Sequence, residues 1–203
     1  MKFMKWKSFV ITGVVCLLPI FLGLILWDKL PDYVAIHFDI NNHPDNFASK
    51  SFAVFAMPLL MVVLQFFCCF VNDINAYRHG ERKKFEKVTK WIIPCLTIIL
   101  QTVTLCYAIG FDLDIRKVTS ILVGIIMLVI GNYLPKFDYV KNYDVDTEKA
   151  RKINRFIGFE TVIMGVLFLI SSLLPPIVSL CCIIMLIPFV IIAVVYTVKV
   201  IRE

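Results

Sequence analysis

Two histidines and two aspartates lie within nine positions of one another, between the first two apolar stretches of the chain: His37, Asp39, His43 and Asp45. Imidazole and carboxylate groups are common zinc ligands, so this set allows a divalent-metal site. The set lacks the cysteines and the fixed helical spacing of most zinc motifs. We therefore favour an ordered polar loop in which His37 hydrogen-bonds to Asp45 or to the backbone, with no metal and no other cofactor.

The segment that positions these residues, 28–51, is too long for a simple connection between two helices. Apolar and polar residues alternate from position 34 to position 40, which predicts a short extended segment. Positions 41–45 read Asn-Asn-His-Pro-Asp and predict the turn, because Asn tolerates the left-handed conformation and Pro fixes its own φ. Ser49 or Ser51 is predicted to cap the helix that follows.

Hydropathy excludes a water-soluble fold: the chain has 203 residues, 60% of them apolar, and a mean hydropathy of +0.84. Six apolar stretches are long enough to cross a bilayer, at 9–27, 52–71, 91–111, 118–134, 156–174 and 177–198. In lipid only helices satisfy the peptide groups of such single stretches. The sequence predicts an all-α integral membrane protein with six transmembrane helices, forming a single membrane domain over 1–203.

The distribution of Lys and Arg predicts the orientation. Of the 21 Lys and Arg residues, 17 fall in the two terminal segments and in loops 72–90 and 135–155, and 4 fall in the other loops. Positive charge accumulates on the cytoplasmic side, so both termini are predicted there, with the ordered loop 28–51 outside. The same distribution explains the net charge of +6 without a nucleic-acid partner. The outer side carries more carboxylates than cations, which would attract a cationic peptide.

Few polar groups interrupt the apolar stretches. Glu160 is the one ionisable residue inside them, and its two interpretations are a functional carboxylate or a structural one that anchors the bundle near the boundary. Asn132 has a similar predicted depth, but helical angles argue against a simple pair with Glu160. Gln65 and Gln101 are expected to form hydrogen bonds between helices rather than to line a pore.

Glycines recur at a spacing of seven in two neighbouring stretches, Gly124 with Gly131 and Gly158 with Gly165. Each pair lies on one helix face and predicts a close helix approach. The alternative is that glycine is simply common in membrane helices. All seven cysteines fall inside apolar stretches, where we expect them to be structural.

The chain has no phosphate-binding loop, nucleophile elbow, zinc-protease helix or dinucleotide fingerprint, so we predict that it is not an enzyme. A small-solute transporter or an export accessory protein is the alternative. Coupled transporters usually carry several charged or broken-helix features near the midplane, and this sequence has one shallow acid.

Residues 30–38 read Leu-Pro-Asp-Tyr-Val-Ala-Ile-His-Phe, and Asp39, Asn42, Pro44-Asp45, Phe47 and Ser49-Lys50 follow. This pattern resembles the small membrane module of unknown function that opens many bacterial immunity-type proteins, and it places that module at 1–71. Asn42 replaces the usual Gly, which is tolerated because both accept a positive φ. The resemblance implies binding or structural roles for Pro31, Asp32, His37, Asp45 and Lys50. As a hypothesis, the last three of these order the outer loop.

Residues 131–136 read Gly-Asn-Tyr-Leu-Pro-Lys and resemble the Gly-Asn-x-Leu/Met-Pro-Lys motif of the sporulation-delaying-protein (Sdp) immunity family. Asn142, Asn154-Arg155 and Gly158 match later motif positions, within a region that we bound at 118–158. The family's intervening Gly-Ile-Arg-Thr-Pro-Trp-Thr segment is missing. The resemblance implies binding or structural roles for Gly131, Asn132, Pro135 and Lys136. As a hypothesis, Asn132 and Lys136 cap the cytoplasmic end of the fourth helix.

Members of this family are six-span membrane proteins that protect the producing bacterium from a secreted killing peptide. The resemblance therefore implies a multi-pass immunity protein of the bacterial plasma membrane, whose partners are membrane lipid and a toxic peptide at the outer face. It also implies signalling through a cytoplasmic transcriptional repressor, recruited by loops 72–90 and 136–155. The alternative for these basic loops is that they set the topology and lie on anionic lipid.

Overall fold

The computed structural model describes residues 4–79, 83–136 and 146–202. These ranges contain six long helices, α1 (Trp6–Ile25), α2 (Met57–His79), α3 (Lys83–Ala108), α4 (Ile115–Tyr133), α5 (Thr147–Ser171) and α6 (Pro176–Arg202), and two strands, β1 (Tyr33–Phe38) and β2 (Pro44–Ser49). All six helices are long and apolar enough to cross a membrane. The predicted helical membrane class is confirmed.

By its internal contacts the chain divides into two compact units, Met1–Ile115 and Arg116–Glu203. The first contains α1, α2 and α3, which pack pairwise, and the hairpin of β1 and β2. The second contains α4, α5 and α6. The single membrane domain over 1–203 stays a prediction.

The core of the first unit lies beside the hairpin. A cluster of five buried residues joins the hairpin and its flank to the helices: Leu30, Val34, Ala53, Val54 and Leu105. Gly23 of α1 is required there, because a Cβ on it would lie 2.6 Å from a methyl group of Val54. A single π-helical turn at Phe52–Ala56 leads into α2, whose second residue is Pro58. Pro58 has no N–H to donate back to this turn, and the carbonyl of Ala53 accepts from Gln101 Nε2 instead.

Two helices of the first unit extend beyond their apolar stretches, and this corrects the predicted boundaries. We placed Asp73 and Lys90 in a loop, whereas α2 continues to His79 and α3 begins at Lys83. Both side chains are buried, and Lys90 Nζ lies 2.5 Å from Asp73 Oδ1. Glu160 is therefore not the only ionisable group buried among helices. Hydropathy ends a stretch at its first charge, but a helix continues wherever its charges find partners.

The ion pair of Asp73 and Lys90 belongs to a polar cluster that holds the start of α1. The backbone N–H of Lys5 donates to Asp73 Oδ2 at 2.8 Å, and Lys5 Nζ lies 2.8 Å from Glu86 Oε2. One carboxylate on α2 thus accepts from α3 and from the residue before α1. The contact fixes the three helix ends relative to one another.

Polar side chains deeper in the first unit bridge helices, as predicted. Gln65 Nε2 donates to Thr12 Oγ1 at 2.7 Å and to the carbonyl of Lys90 at 2.9 Å. Gln101 Nε2 donates to the carbonyl of Ala53 at 2.6 Å. The expected interhelical role of both glutamines is confirmed. The cysteines are all free thiols, in agreement with the structural role assigned to them.

In the second unit, Arg116 at the start of α4 holds the turn between α5 and α6. Its Nη1 donates to the carbonyls of Ser171 and Leu174, each at 3.3 Å, and to Ser179 Oγ at 3.0 Å. Carbonyls at the end of a helix lack partners within the helix, and a guanidinium satisfies several of them at once. The arginine therefore compensates for the abrupt turn at Pro175-Pro176.

The orientation of the chain is tested by labelling. A cysteine at the exposed turn residue Asn41 is expected to react in intact cells with a maleimide that cannot cross the membrane. The reason is that the distribution of Lys and Arg places this turn on the outer side of the membrane. A cysteine at Arg151 on α5 is the matched control and should react only after the cells are lysed. Labelling of the cysteine at position 151 but not of the one at position 41 in intact cells would show that the chain has the opposite orientation.

Candidate functional site

The loop 28–51 forms an antiparallel hairpin rather than a single extended segment. Tyr33 pairs with Ser49, Val34 with Ala48 and Ala35 with Phe47, and the register is irregular around His37. The extended stretch 34–40 was predicted, but Pro44 and Asp45 belong to β2 and not to the turn. A second strand could form there because Pro at the first residue of a strand leaves the remaining ladder donors in place.

The turn of the hairpin is held by two side chains. Asp39 accepts from the backbone N–H groups of His43 and Asn41 at 2.7 and 2.9 Å. These bonds, that of His43 foremost, hold the pKa of Asp39 below its ordinary value of 3.8. Asn42 adopts a φ of 67°, as expected of a residue that replaces glycine.

The side chain of Asn42 also ties the hairpin to the connection between α3 and α4. Its Nδ2 donates to the carbonyl of Leu113 at 3.1 Å, and its Oδ1 accepts from the N–H of Ile115 at 2.8 Å. Beneath the turn, the rings of Phe38 and Tyr107 of α3 meet edge to face with centroids 4.8 Å apart. The hairpin is therefore docked on the end of α3 instead of projecting freely.

The four residues of the considered metal site form two separate pairs. His37 Nδ1 lies 2.5 Å from Asp45 Oδ1 across the strands, and His43 Nδ1 lies 3.5 Å from Asp39 Oδ2 within the turn. Among the described residues, no group of three or more His, Cys, Asp or Glu is arranged to hold a metal ion. The geometry agrees with the hydrogen-bonded loop and gives the zinc alternative no support.

The base of the hairpin is closed by Asp32 and Lys50. The N–H of Lys50 donates to the carbonyl of Asp32 at 2.9 Å, and its Nζ lies 3.4 Å from Asp32 Oδ1. The same ammonium sits 5.2 Å from the ring centroid of Trp27, in cation–π geometry. Pro31 is exposed and immediately precedes this closure. Ser49 Oγ accepts from the N–H of Phe52 at 3.3 Å, so Ser49 is the predicted cap.

The outward face of the hairpin combines aromatic rings with the His37–Asp45 pair. Because Tyr33 is opposite Ser49 and Ala35 is opposite Phe47, Tyr33 and Phe47 project from the same face. Their exposed fractions are 69% and 51%. Val34 on the opposite face is buried in the core. This outward face is the candidate binding surface of the first unit.

In the second unit the glycine pairs meet as predicted. A Cβ on Gly131 would lie 2.8 Å from the carbonyl oxygen of Gly158, and one on Gly124 would lie 2.8 Å from that of Gly165. The backbones of α4 and α5 are therefore in direct contact at two levels. The close approach is confirmed, and it brings the Gly131–Lys136 motif against Gly158, one of the later motif positions.

Other motif residues meet near the end of α4. Asn132 Oδ1 accepts from Lys136 Nζ at 3.3 Å, so this pair meets at the end of α4, while Pro135 packs against Gly158. Glu160 Oε2 is buried and has no hydrogen-bond partner among the described residues. No hydrogen bond thus supports the hypothesis that Glu160 anchors the bundle. Asn142 lies outside the described residues.

Comparison with known proteins gives one family match and one curated relative. Residues 14–62, which include the whole hairpin, match the family described as "Domain of unknown function (DUF1648)". The chain is 25% identical over 126 residues to the immunity protein SdpI of Bacillus subtilis (strain 168). The resemblance to an SdpI-like family is confirmed, and with the six helices it supports a multi-pass protein of the bacterial plasma membrane. That match covers 62% of this chain and 59% of SdpI, and no solved structure matches the chain.

Several residues that hold helix ends and the hairpin in place were not predicted from the sequence. Asp73 and Lys90 were counted as loop charges, Asn42 was assigned only a turn conformation, and Arg116 only a place in the charge count. Asp73, Lys90 and Arg116 share a signal, a charged residue within a few positions of an apolar stretch, which often marks a paired group at a helix end. Only the structure identifies the partners.

Proposed function

We propose that this chain is a membrane immunity protein that protects a bacterium from a secreted, membrane-active toxic peptide, and that the outward face of the hairpin binds that peptide. The observation that carries the proposal is the docked hairpin itself. It lies within the matched module, is fixed to α3, and exposes Tyr33 and Phe47 beside the His37–Asp45 pair. The name of the relative SdpI supports the immunity function.

The chemistry of this face suits a cationic, partly apolar peptide. Large exposed aromatic rings supply contact area at a low cost in conformational entropy. Asp39 in the turn and Asp45 at the start of β2 add negative charge. Charge of this kind accelerates encounter with a cationic partner and is screened by salt. Rigid attachment to α3 lowers the ordering cost of binding.

Protection assays test the proposal. In a sensitive host challenged with candidate peptides, His37→Ala and Asp45→Ala are each expected to lower the tolerated peptide concentration about ten-fold, the usual effect of removing a central interface side chain. Membrane abundance should remain unchanged, because the pair is exposed and contributes little to stability. His43→Ala is the matched control, since it removes the same side chain from the turn and should keep protection.

An unaltered phenotype in both variants would remove the hairpin face from the binding site. Equal killing with and without the intact chain, for every peptide, together with solute flux in proteoliposomes, would favour the small-solute transporter or export accessory instead. Signalling to a cytoplasmic repressor is a separable part of the proposal. It has the weaker support, because the family segment that this sequence lacks falls within loop 136–155.

A further inference from the structure

A cavity of about 660 Å³ opens in the second unit where α4 and α5 leave their glycine contact. Its walls come from the end of α4, the first half of α5 and the last third of α6: Gly131, Asn132, Pro135, Lys136, Lys152, Arg155, Phe156, Gly158, Phe159, Val162 and Tyr196. The volume suits a small organic group rather than a single water molecule. The cavity thus lies beside the Gly131–Lys136 motif and the later motif positions Arg155 and Gly158. The resemblance to the family assigns no role to this cavity.

The charged lining of the cavity has one sign. Lys136, Lys152 and Arg155 contribute three cations, and the described lining contains no acidic side chain. Lys152 is paired with Glu148 at 2.9 Å, and Lys136 is held by Asn132. Arg155 makes no hydrogen bond or ion pair within the described part of the chain. Its guanidinium is therefore available for the bidentate binding of an anion such as a phosphate.

The rest of the lining is apolar and aromatic. Phe156 stacks on Tyr196 of α6 with ring centroids 3.9 Å apart, which forms one firm wall. Phe159 follows Arg155 by one helical turn and is 68% exposed. In a helix that crosses a membrane, such an exposed ring contacts acyl chains. The cavity therefore places a cation at the boundary and an apolar contact one turn deeper.

We propose that this cavity binds the phosphate headgroup of an anionic membrane lipid, with Arg155 and Lys136 on the phosphate and Phe159 beside an acyl chain. Basic pockets between helices at the membrane boundary are suited to such headgroups. A free phosphate would use the cations but would leave the exposed ring without a role. The glycine contact beneath the cavity keeps the two cation-bearing helix ends at a fixed separation.

Lipid retention tests the proposal on the full chain in nanodiscs of phosphatidylcholine with a minor fraction of phosphatidylglycerol. Native mass spectrometry of the released protein is expected to show enrichment of phosphatidylglycerol. Arg155→Gln should reduce that enrichment about five-fold, the effect of one basic residue near an anionic headgroup. Arg155→Lys should retain part of it, because the charge remains while bidentate geometry is lost.

Arg151→Gln is the matched control, since it removes the same charge one turn away on α5 but does not line the cavity. An equal loss in Arg151→Gln would show that surface charge, not the cavity, attracts the lipid and would overturn the proposal. The absence of enrichment in the unaltered chain would also overturn it. Displacement of phosphatidylglycerol by inorganic phosphate at cellular concentration would assign the site to the free anion instead.

Discussion

Gly158→Ala is expected to force α4 and α5 apart and to destabilise the second unit. The added Cβ would lie 2.7 Å from Cδ and Cγ of Pro135 and 2.8 Å from the carbonyl oxygen of Gly131. Neither obstacle is the flexible end of a side chain, so relief requires the two backbones to move apart. We expect a loss of about 3 kcal/mol in the free energy of unfolding, at the upper end of the usual cost of overpacking. Denaturant unfolding of the purified chain in detergent measures it.

Gly13→Ala on α1 is the matched control. A Cβ there would meet its nearest neighbours, atoms of Phe9 and Val62, at 3.8 to 3.9 Å, which is ordinary van der Waals contact. Alanine also has the better helix propensity, so stability should be unchanged or rise by less than about 1 kcal/mol. Equal stability of Gly158→Ala and the parent chain would mean that α4 and α5 are not in backbone contact.

Asp73→Ala is expected to destabilise the first unit by about 3 to 5 kcal/mol. Removal of one partner from a buried ion pair leaves an uncompensated charge, here Lys90, whose side chain is only 4% exposed. The variant also leaves the backbone N–H of Lys5 without its acceptor, which loosens the start of α1. Thermal unfolding in detergent and steady-state abundance in the membrane both measure the effect.

Two further variants separate a buried charge from a general loss of polarity. Asp73→Leu combined with Lys90→Met should recover much of the stability, since apolar residues of similar size often replace a buried pair well. Glu148→Ala breaks the exposed pair with Lys152 and should cost less than about 1 kcal/mol. If Asp73→Ala lowers the free energy of unfolding no more than Glu148→Ala does, the Asp73 carboxylate is solvated and its pair with Lys90 does not stabilise the helix ends.

Sequence reasoning succeeded where one physical effect dominates. The six spans follow from apolar length, because lipid leaves the backbone no alternative to the helix. The contact of α4 with α5 follows from the spacing of four glycines, since no other residue permits that approach. The docked position of the hairpin did not follow, because it depends on Asn42 meeting Leu113 across 71 residues of sequence. Local patterns hold no information on such a contact.

The candidate sites divide in the same way. The pairing of His37 with Asp45 was among the expectations because the two residues lie eight positions apart in a short loop. The cavity beside Lys136 was not, since it needs Arg155 and Tyr196, which only packing brings near it. The pairing of Asp73 with Lys90 was not predicted, because the hydropathy boundaries assigned both residues to a loop. In each case the missing information was which helix ends meet, not which residues are polar.

The double hydrogen bond of Asn42 to Leu113 and Ile115 also constrains the order of biogenesis. The hairpin emerges between α1 and α2, yet the groups that receive its tip are made 71 and 73 residues later. Until α3 and the residues that follow it have been synthesised and inserted, the hairpin has no surface on which to dock. A nascent chain therefore passes through an interval in which this hairpin is present but not yet docked.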